Sequence, residues 1–205
     1  MLPNDGKKSV FYYAELQRQA LATKRTPLFF DFEFTGLVQN TTPISLGIAS
    51  LDGAEFYAEF NDYKREMVDE WIAENVIKNL VFPYPVSSAL KSSSNRYVHI
   101  KSDTAAVSKS LRMWLSQFDK VEFWGDCLAY DWVLLCELFG GARFIPKNVY
   151  YIPFDICTLF RTKGIDPDVS RTDFVGDVSF VRHNALDDAK TIMGCWERMI
   201  QNPFL

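Results

Sequence analysis

The sequence has no apolar run approaching the length of a membrane span, no CxxC pair, no internal repeat and no surplus of basic charge. Its first ten residues, MLPNDGKKSV, lack an apolar targeting core. These absences predict a protein with no membrane partner that stays, soluble, where it is made, in the cytoplasm. The four cysteines, Cys127, Cys136, Cys157 and Cys195, are widely spaced in apolar contexts. They are expected to be reduced and buried, which argues against a disulfide framework or a zinc site. The net charge of −4 excludes a protein that coats long duplexes through a strongly basic surface. It leaves room for a local basic groove.

What the chain does have is apolar and aromatic substance. Its 205 residues are 48% hydrophobic and 15% aromatic, enough for one globular domain with a full-sized core. Amphipathic spacing predicts a helix over residues 10–23, read as part of an N-terminal extension (residues 1–25) before a single domain over residues 26–205. PLFFDFEF, PISLGIAS and AEFYAEF read as strands, with Leu51, Asp52 and Gly53 turning the chain between the last two. Three strands so close must form an antiparallel meander. EMVDEWIAENVIKNL carries Val68, Ile72 and Val76 on one helical face, and the Pro- and Ser-rich PYPVSSALKSSSNRY reads as an exposed connection. Val107, Leu111, Trp114, Leu115 and Phe118 mark a helix behind a Ser102-Asp103 start. VEFWG then reads as a strand, AYDWVLLCELFG as a helix closed by Gly140 and Gly141, and FDICTLF as a short helix. Residues 164–182 read as a polar loop, and NALDDAKTIMGCWERMI as the last helix. A meander followed by alternating helix and strand predicts an α/β fold, a mixed sheet covered by helices.

Acidic residues stand in unusual places. In LFFDFEFTGL, Asp31 and Glu33 are two apart on a strand, so they share a side while Phe30, Phe32 and Phe34 share the other. Two unpaired carboxylates there repel each other and are costly to desolvate. Divalent cations remove that cost, and carboxylates are the hard oxygen ligands that Mg²⁺ and Mn²⁺ prefer. A solvated strand end would explain a D-x-E pair standing alone. Asp131, however, opens an otherwise apolar helix in AYDWVLL, and in HNALDDAK His183 precedes a helix whose first turn carries Asp187 and Asp188. Each of these alone is explained as a cap or a helix-dipole partner. Three such sites, with one of only two histidines, point together to a metal-dependent centre.

In this order and spacing the motifs resemble those of the DEDDh 3′–5′ exonucleases, the DnaQ-like or RNase T-like superfamily. DFEFTGL resembles the first motif, AYDW the second and HNALDDA the third. In the third motif the ligand lies five residues after the histidine, a spacing that selects Asp188 over Asp187. ISLGIASLDGAEFYAEFND and VEFWGDCLAYDWVLLCELFGG are similar, more closely, to the small stand-alone 3′–5′ exoribonucleases first known from mycobacteria. Many such relatives carry an Asn upstream of the second Asp, where GDCLAYD has Asp126 and Cys127. The resemblance implies an RNase H-like fold with a mixed five-stranded sheet, an antiparallel meander plus parallel strands. It implies that Asp31, Glu33, Asp131 and Asp188 hold two Mg²⁺ or Mn²⁺ ions, with His183 as general base. The implied substrate is single-stranded RNA or an RNA 3′ overhang, cut to nucleoside 5′-monophosphates. Phe34, Thr35, Gly36 and Leu37 would line the pocket for the terminal base and sugar. Relatives often pair, so a homodimer is compatible with the resemblance.

Two other readings stand beside this one. A DNA exonuclease of the proofreading type shares the chemistry, and the contact that separates the two, to the 2′-OH, is not legible here. A non-catalytic module that binds nucleic-acid ends would be expected to have lost a ligand or the histidine, and all five are present. Lys91, Arg96 and Lys101 read as a solvated loop or as phosphate contacts. Asp166, Asp168 and Ser170 begin like a calcium loop, but Arg171 and Asp177 at its sixth and twelfth positions exclude an EF-hand. Asp155 reads as a helix cap, and His99 as an ordinary strand or loop histidine.

Overall fold

Seven strands make the spine of the protein: β1 (Thr26–Phe34), β2 (Pro43–Ser50), β3 (Glu55–Phe60), β4 (Ala89–Ser94), β5 (Tyr97–Ser102), β6 (Val121–Gly125) and β7 (Phe154–Asp155). The computed structural model describes residues 24–83, 88–176 and 180–201, so the expected helix over residues 10–23 lies outside them. The sheet order is β4-β5-β3-β2-β1-β6-β7. β1, β2 and β3 form the expected antiparallel meander. β6 runs parallel to β1, β7 to β6 and β5 to β3, while β4 and β5 form an antiparallel hairpin at the edge. Among the described residues six helices flank this sheet: α1 (Glu70–Asn75), α2 (Thr104–Leu115), α3 (Asp131–Leu138), α4 (Ile156–Thr162), α5 (Arg171–Val175) and α6 (Ala185–Gln201).

The sheet is mixed, as expected, but has seven strands and not five. β4 lies in the segment read as an exposed connection. Five of its six residues are exposed, so it carries none of the apolar alternation that marks a strand; its ladder with β5 defines it. β7 is two residues long, too short to leave a pattern. The helix expected around Val68, Ile72 and Val76 contracts to α1 between 3-10 turns at Arg65–Met67 and Ile77–Asn79, although those three residues do pack together against Ile44. The polar loop contains α5, capped by the Ser170 hydroxyl, which accepts from the Asp173 amide. Asp103 and Asp155 cap α2 and α4 in the same way.

Strand alternation sorts the side chains into two layers. Leu28, Phe30, Phe32, Leu46, Ile48, Phe56 and Phe60 bury one face of the sheet against α2 and α3. On the other face Phe29 packs with Ile156 and Phe160 of α4 and with Ile192, Cys195 and Met199 of α6. Each large apolar side chain buried in this way contributes about 1.5–3 kcal/mol. The second face has a gap in its apolar cover, because Asp31 and Glu33 lie on it beyond Phe29.

α6 crosses the sheet at that gap. Gly47 of β2 pairs with Asp31 of β1, and a Cβ on Gly47 would collide with the backbone of Ala185 and Leu186 at the start of α6. The missing side chain therefore lets the first turn of α6 lie against the sheet directly beside Asp31. Gly47→Ala is expected to destabilise the protein by about 1–3 kcal/mol through overpacking against backbone that has no free rotamer. Urea unfolding checks this; a midpoint equal to wild type would mean that α6 does not depend on the close approach.

Candidate active site

The carboxylates come together because three chain segments end at the same place. β1 and β6 are paired only as far as Phe29 and Trp124. Beyond that the two strands part, and the amide of Phe32 donates instead to Asp131 Oδ1 at 2.9 Å. Asp131 is the first residue of α3, where the positive end of the helix dipole favours a negative side chain. The hydrogen bond fixes it against β1 although 99 residues separate the partners.

The third segment is the start of α6. Asn184 Oδ1 accepts from the amides of Leu186 and Asp187 at 3.2 and 3.3 Å, which caps the helix. Asp187 turns back, its Oδ2 accepting from the Val181 amide at 3.0 Å. Asp188 faces the sheet, in a cavity of about 500 Å³ lined also by Asp31, Glu33, Asp126, Arg171 and His183. Ligand atoms of Glu33, His183 and Asp188 lie within 4.8 Å of one another, and His183 Nδ1 is 3.8 Å from Glu33 Oε1. Asp131 sits behind this wall, buried, and is felt there through its charge.

His183 is held in place by a separate part of the chain. Its φ of +59° is left-handed, a conformation that costs a non-glycine residue on the order of 1–3 kcal/mol and persists only where the surroundings enforce it. Asn79 Nδ2 donates to the Arg182 carbonyl at 2.9 Å, and Asn184 Nδ2 donates to the Asn79 carbonyl at 3.0 Å. The edge of the Trp71 ring meets the imidazole with centroids 5.0 Å apart. The two amides clamp the residues on either side of His183 while the indole fills the space beside its ring.

Crowding of like charge away from water dominates the electrostatics. Burial, then repulsion from Asp131 and Asp188, raises the Asp31 carboxyl well above its ordinary range. Burial and the charges of Asp188 and Asp131 push Glu33 to about 8. Burial pushes Asp131 to about 6 against the Phe32 hydrogen bond, and Asp188 to about 7 against a hydrogen bond from the His183 backbone. Among the described residues no lysine or arginine makes an ion pair with any of the four. His183 moves the opposite way, lowered by burial and then by Arg182.

Phe34 is half-buried and packs against Tyr130 with the two rings tilted by 30°. Thr35 is buried, its Oγ1 accepting from the Thr42 amide at 3.0 Å. That side chain is spent on bracing the turn, so it has only its backbone to offer a ligand. Gly36 has φ +144° in open space, and Leu37 is 74% exposed. None of the four is among the residues lining the cavity. Arg96 and Lys101 are not free for phosphate: Arg96 pairs with Asp52 at 2.8 Å and Lys101 with buried Glu59 at 3.1 Å. His99 is a buried strand histidine stacked on Tyr97.

Two expectations need correction or extension. Cys136 and Cys195 are buried, but Cys127 is exposed and Cys157 only half-buried, because Cys127 lines the cavity and Cys157 meets its wall residues Asp126 and Arg171 instead of the apolar layers. Asp126 and Arg171 belong to the cavity wall, joined by a two-pronged ion pair from Arg171 Nε and Nη2 to Asp126 Oδ2 and Oδ1 at 2.7 and 2.9 Å. In the sequence Asp126 stood out only in GDCLAYD, upstream of Asp131, with no role assigned to it. Arg171, Trp71 and Asn79 left no sequence signal, since each acts through a contact made by folding.

Comparison with known proteins converges on one family. A family model for the 3′–5′ exoribonuclease Rv2179c-like domain matches residues 26–200. The chain is 27% identical over 142 residues to the 3′–5′ exoribonuclease Rv2179c of Mycobacterium tuberculosis strain H37Rv, covering 66% of this chain and 74% of that one. The 3′–5′ exoribonuclease MT2234.1 of strain CDC 1551 matches to the same extent. Among solved structures, Pop2p of S. pombe in its Mg²⁺- and Mn²⁺-bound form aligns with a TM-score of 0.60 at 13% identity, over 93% of this chain and 91% of that one. That likeness gives the fold, an RNase H-like mixed sheet with helices on both faces. By its match over nearly all of the described chain, the protein belongs to the family of 3′–5′ exoribonuclease Rv2179c-like domains.

Proposed function

We propose that this chain is a divalent-metal-dependent 3′–5′ exoribonuclease that shortens single-stranded RNA 3′ ends to nucleoside 5′-monophosphates. The observation that carries the reading is the meeting of Asp31, Glu33, Asp131 and Asp188 at one strand end, beside His183 and, among the described residues, without a paired lysine or arginine. Their hard oxygens suit Mg²⁺ or Mn²⁺, and their raised proton affinity measures how much positive charge the site calls for. These four carboxylates would hold two such ions, whose chemistry would be to lower the pKa of a bound water and to neutralise charge on the leaving 3′ oxygen. Burial and Arg182 keep His183 neutral at pH 7, so its imidazole is able to take a proton from the attacking water. The main chain of Phe34, Thr35 and Gly36 and the exposed side chain of Leu37 follow Glu33 directly and are assigned to the terminal base and sugar. The activity named for Rv2179c supports RNA over DNA.

Metal binding is expected to appear first as pH-dependent stability. The folded chain holds protons on Glu33, Asp131 and Asp188 more tightly than an unfolded chain does. Metal-free stability therefore falls as pH rises from about 4 to about 8. The melting temperature in EDTA should drop across that window, and the gain from Mn²⁺ or Mg²⁺ should be larger at about pH 8 than at about pH 5. A gain independent of pH, or none, would count against cation binding by these carboxylates.

Activity is read with single-stranded RNA labelled at either end, in Mg²⁺, Mn²⁺ or EDTA. The 5′-labelled strand should shorten stepwise, EDTA should stop the reaction, and matched DNA should be cut more slowly. Asp31→Ala should abolish turnover, and His183→Ala should lower it by about 10²–10⁴-fold. Cleavage that survives in Asp31→Ala, or that starts at the 5′ end, would overturn the assignment.

A further inference from the structure

Beside the carboxylates a second cluster of reactive groups is unused by the proposed chemistry. Cys127 lies in the turn after β6 and is exposed, and Cys157 lies in the first turn of α4. Their sulfurs are 3.6 Å apart, although the residues are thirty positions apart in sequence. Cys157 Sγ donates to Asp126 Oδ1 at 3.0 Å and is itself met by Arg171 Nη2 at 3.1 Å. Asp126, Cys127 and Cys157 bring their ligand atoms within 4.8 Å of one another, but the cluster is not arranged for a cation. Both oxygens of Asp126 already accept from Arg171, and the guanidinium stands against the Cys157 sulfur. A metal ion there would meet a fixed positive charge.

We propose that Cys127 and Cys157 are a peroxide-responsive thiol pair that closes to an intramolecular disulfide at the wall of the active-site cavity. Contact between sulfurs at 3.6 Å contracts to a bond of about 2 Å by side-chain rotation. The exposed Cys127 reacts first. Its sulfur attacks one oxygen of hydrogen peroxide, the O–O bond breaks, and the departing hydroxide leaves as water with the thiol proton. The Cys127 sulfur is oxidised by two electrons to the sulfenic acid, and the peroxide is reduced. The Cys157 sulfur then attacks the Cys127 sulfur and the S–O bond breaks. The Cys157 proton passes through Asp126 Oδ1 to the leaving hydroxide, giving a second water. Burial, then the hydrogen bond to Asp126, holds the Cys157 thiol in its protonated form at rest. That makes Cys157 the resolving partner. A dithiol such as dithiothreitol reverses the bond by exchange.

The bond is expected to reach the metal site, a consequence that rests on the nuclease reading. Closing it draws Cys157 away from Asp126 and Arg171, which line the same cavity as Asp31 and Asp188. It also pulls on the turn that runs from Cys127 to Asp131. Reduced full-length protein is treated with hydrogen peroxide, digested without reductant and mapped by mass spectrometry. A peptide joining Cys127 to Cys157, lighter by two hydrogens than its parts, should form in wild type and vanish with dithiothreitol. It should be absent from Cys127→Ser and Cys157→Ser, while Cys136 and Cys195, both buried, stay reduced. Cys127 found only as sulfinic acid, or bridged between two chains, would overturn the pair. So would thiols that react only after a chelator strips a metal. Oxidation should lower the RNA cleavage rate of wild type severalfold, reversibly, and leave the oxidised-to-reduced rate ratio of Cys127→Ser near one. A crosslink with unchanged rate would overturn the coupling. A reduced enzyme without nuclease activity would sink the nuclease reading while the peptide map still decides the disulfide.

Discussion

The withdrawal from water of four carboxylates gathered at one strand end is the constraint around which this structure is arranged. Asp31 and Glu33 sit on the central strand, where water is scarce, and Asp131 and Asp188 are brought to them from two helix starts. No packing gain arises from putting these charges together. Burial first, and neighbouring negative charge after it, raises their proton affinities, Glu33 to about 8 and Asp188 to about 7. The protein meets part of the cost locally: the Phe32 amide supports Asp131, and two helix dipoles point their positive ends at the cluster. Under the proposed function divalent cations would offset the remainder, which would tie the chain's stability to its chemistry.

Close approach makes the cluster geometrically possible. A glycine on β2 opposite Asp31 removes the side chain that would hold α6 off the sheet. Asp188 gains its position from this contact, and Asp187, one residue earlier, is left to accept from the Val181 amide. His183 lies just outside the helix in a strained backbone conformation, which Trp71 and Asn79 maintain from the segment between β3 and β4. The imidazole is therefore supported by residues more than a hundred positions away. A folded sheet is required before it can point at Glu33.

The wall formed by Asp126 and Arg171, with Cys157 against it, shows how a further acid is accommodated. Asp126 alone would add another negative charge beside the carboxylates. Arg171, carried by a helix of only five residues, binds that acid with two hydrogen bonds and stacks over Phe160. The same guanidinium steadies Cys157, whose sulfur meets that of Cys127.

Local pattern was enough to reveal the α/β class and the antiparallel meander, and to single out Asp31, Glu33, Asp131, His183 and Asp188 as candidates. Alternation along β1 separates Phe30 and Phe32 from Asp31 and Glu33, and this period-two geometry is a property of any strand. A carboxylate opening an apolar helix and a His placed five residues before an Asp are likewise visible in one dimension. Edge pairing of a serine-rich strand was not visible, because backbone hydrogen bonds hold β4 while its side chains face water. Nor were the clamp on His183, the contact of Gly47 with α6, or the meeting of Cys127 with Cys157. Each of these is a contact between residues far apart in the chain, and only the closing of the fold sets such distances.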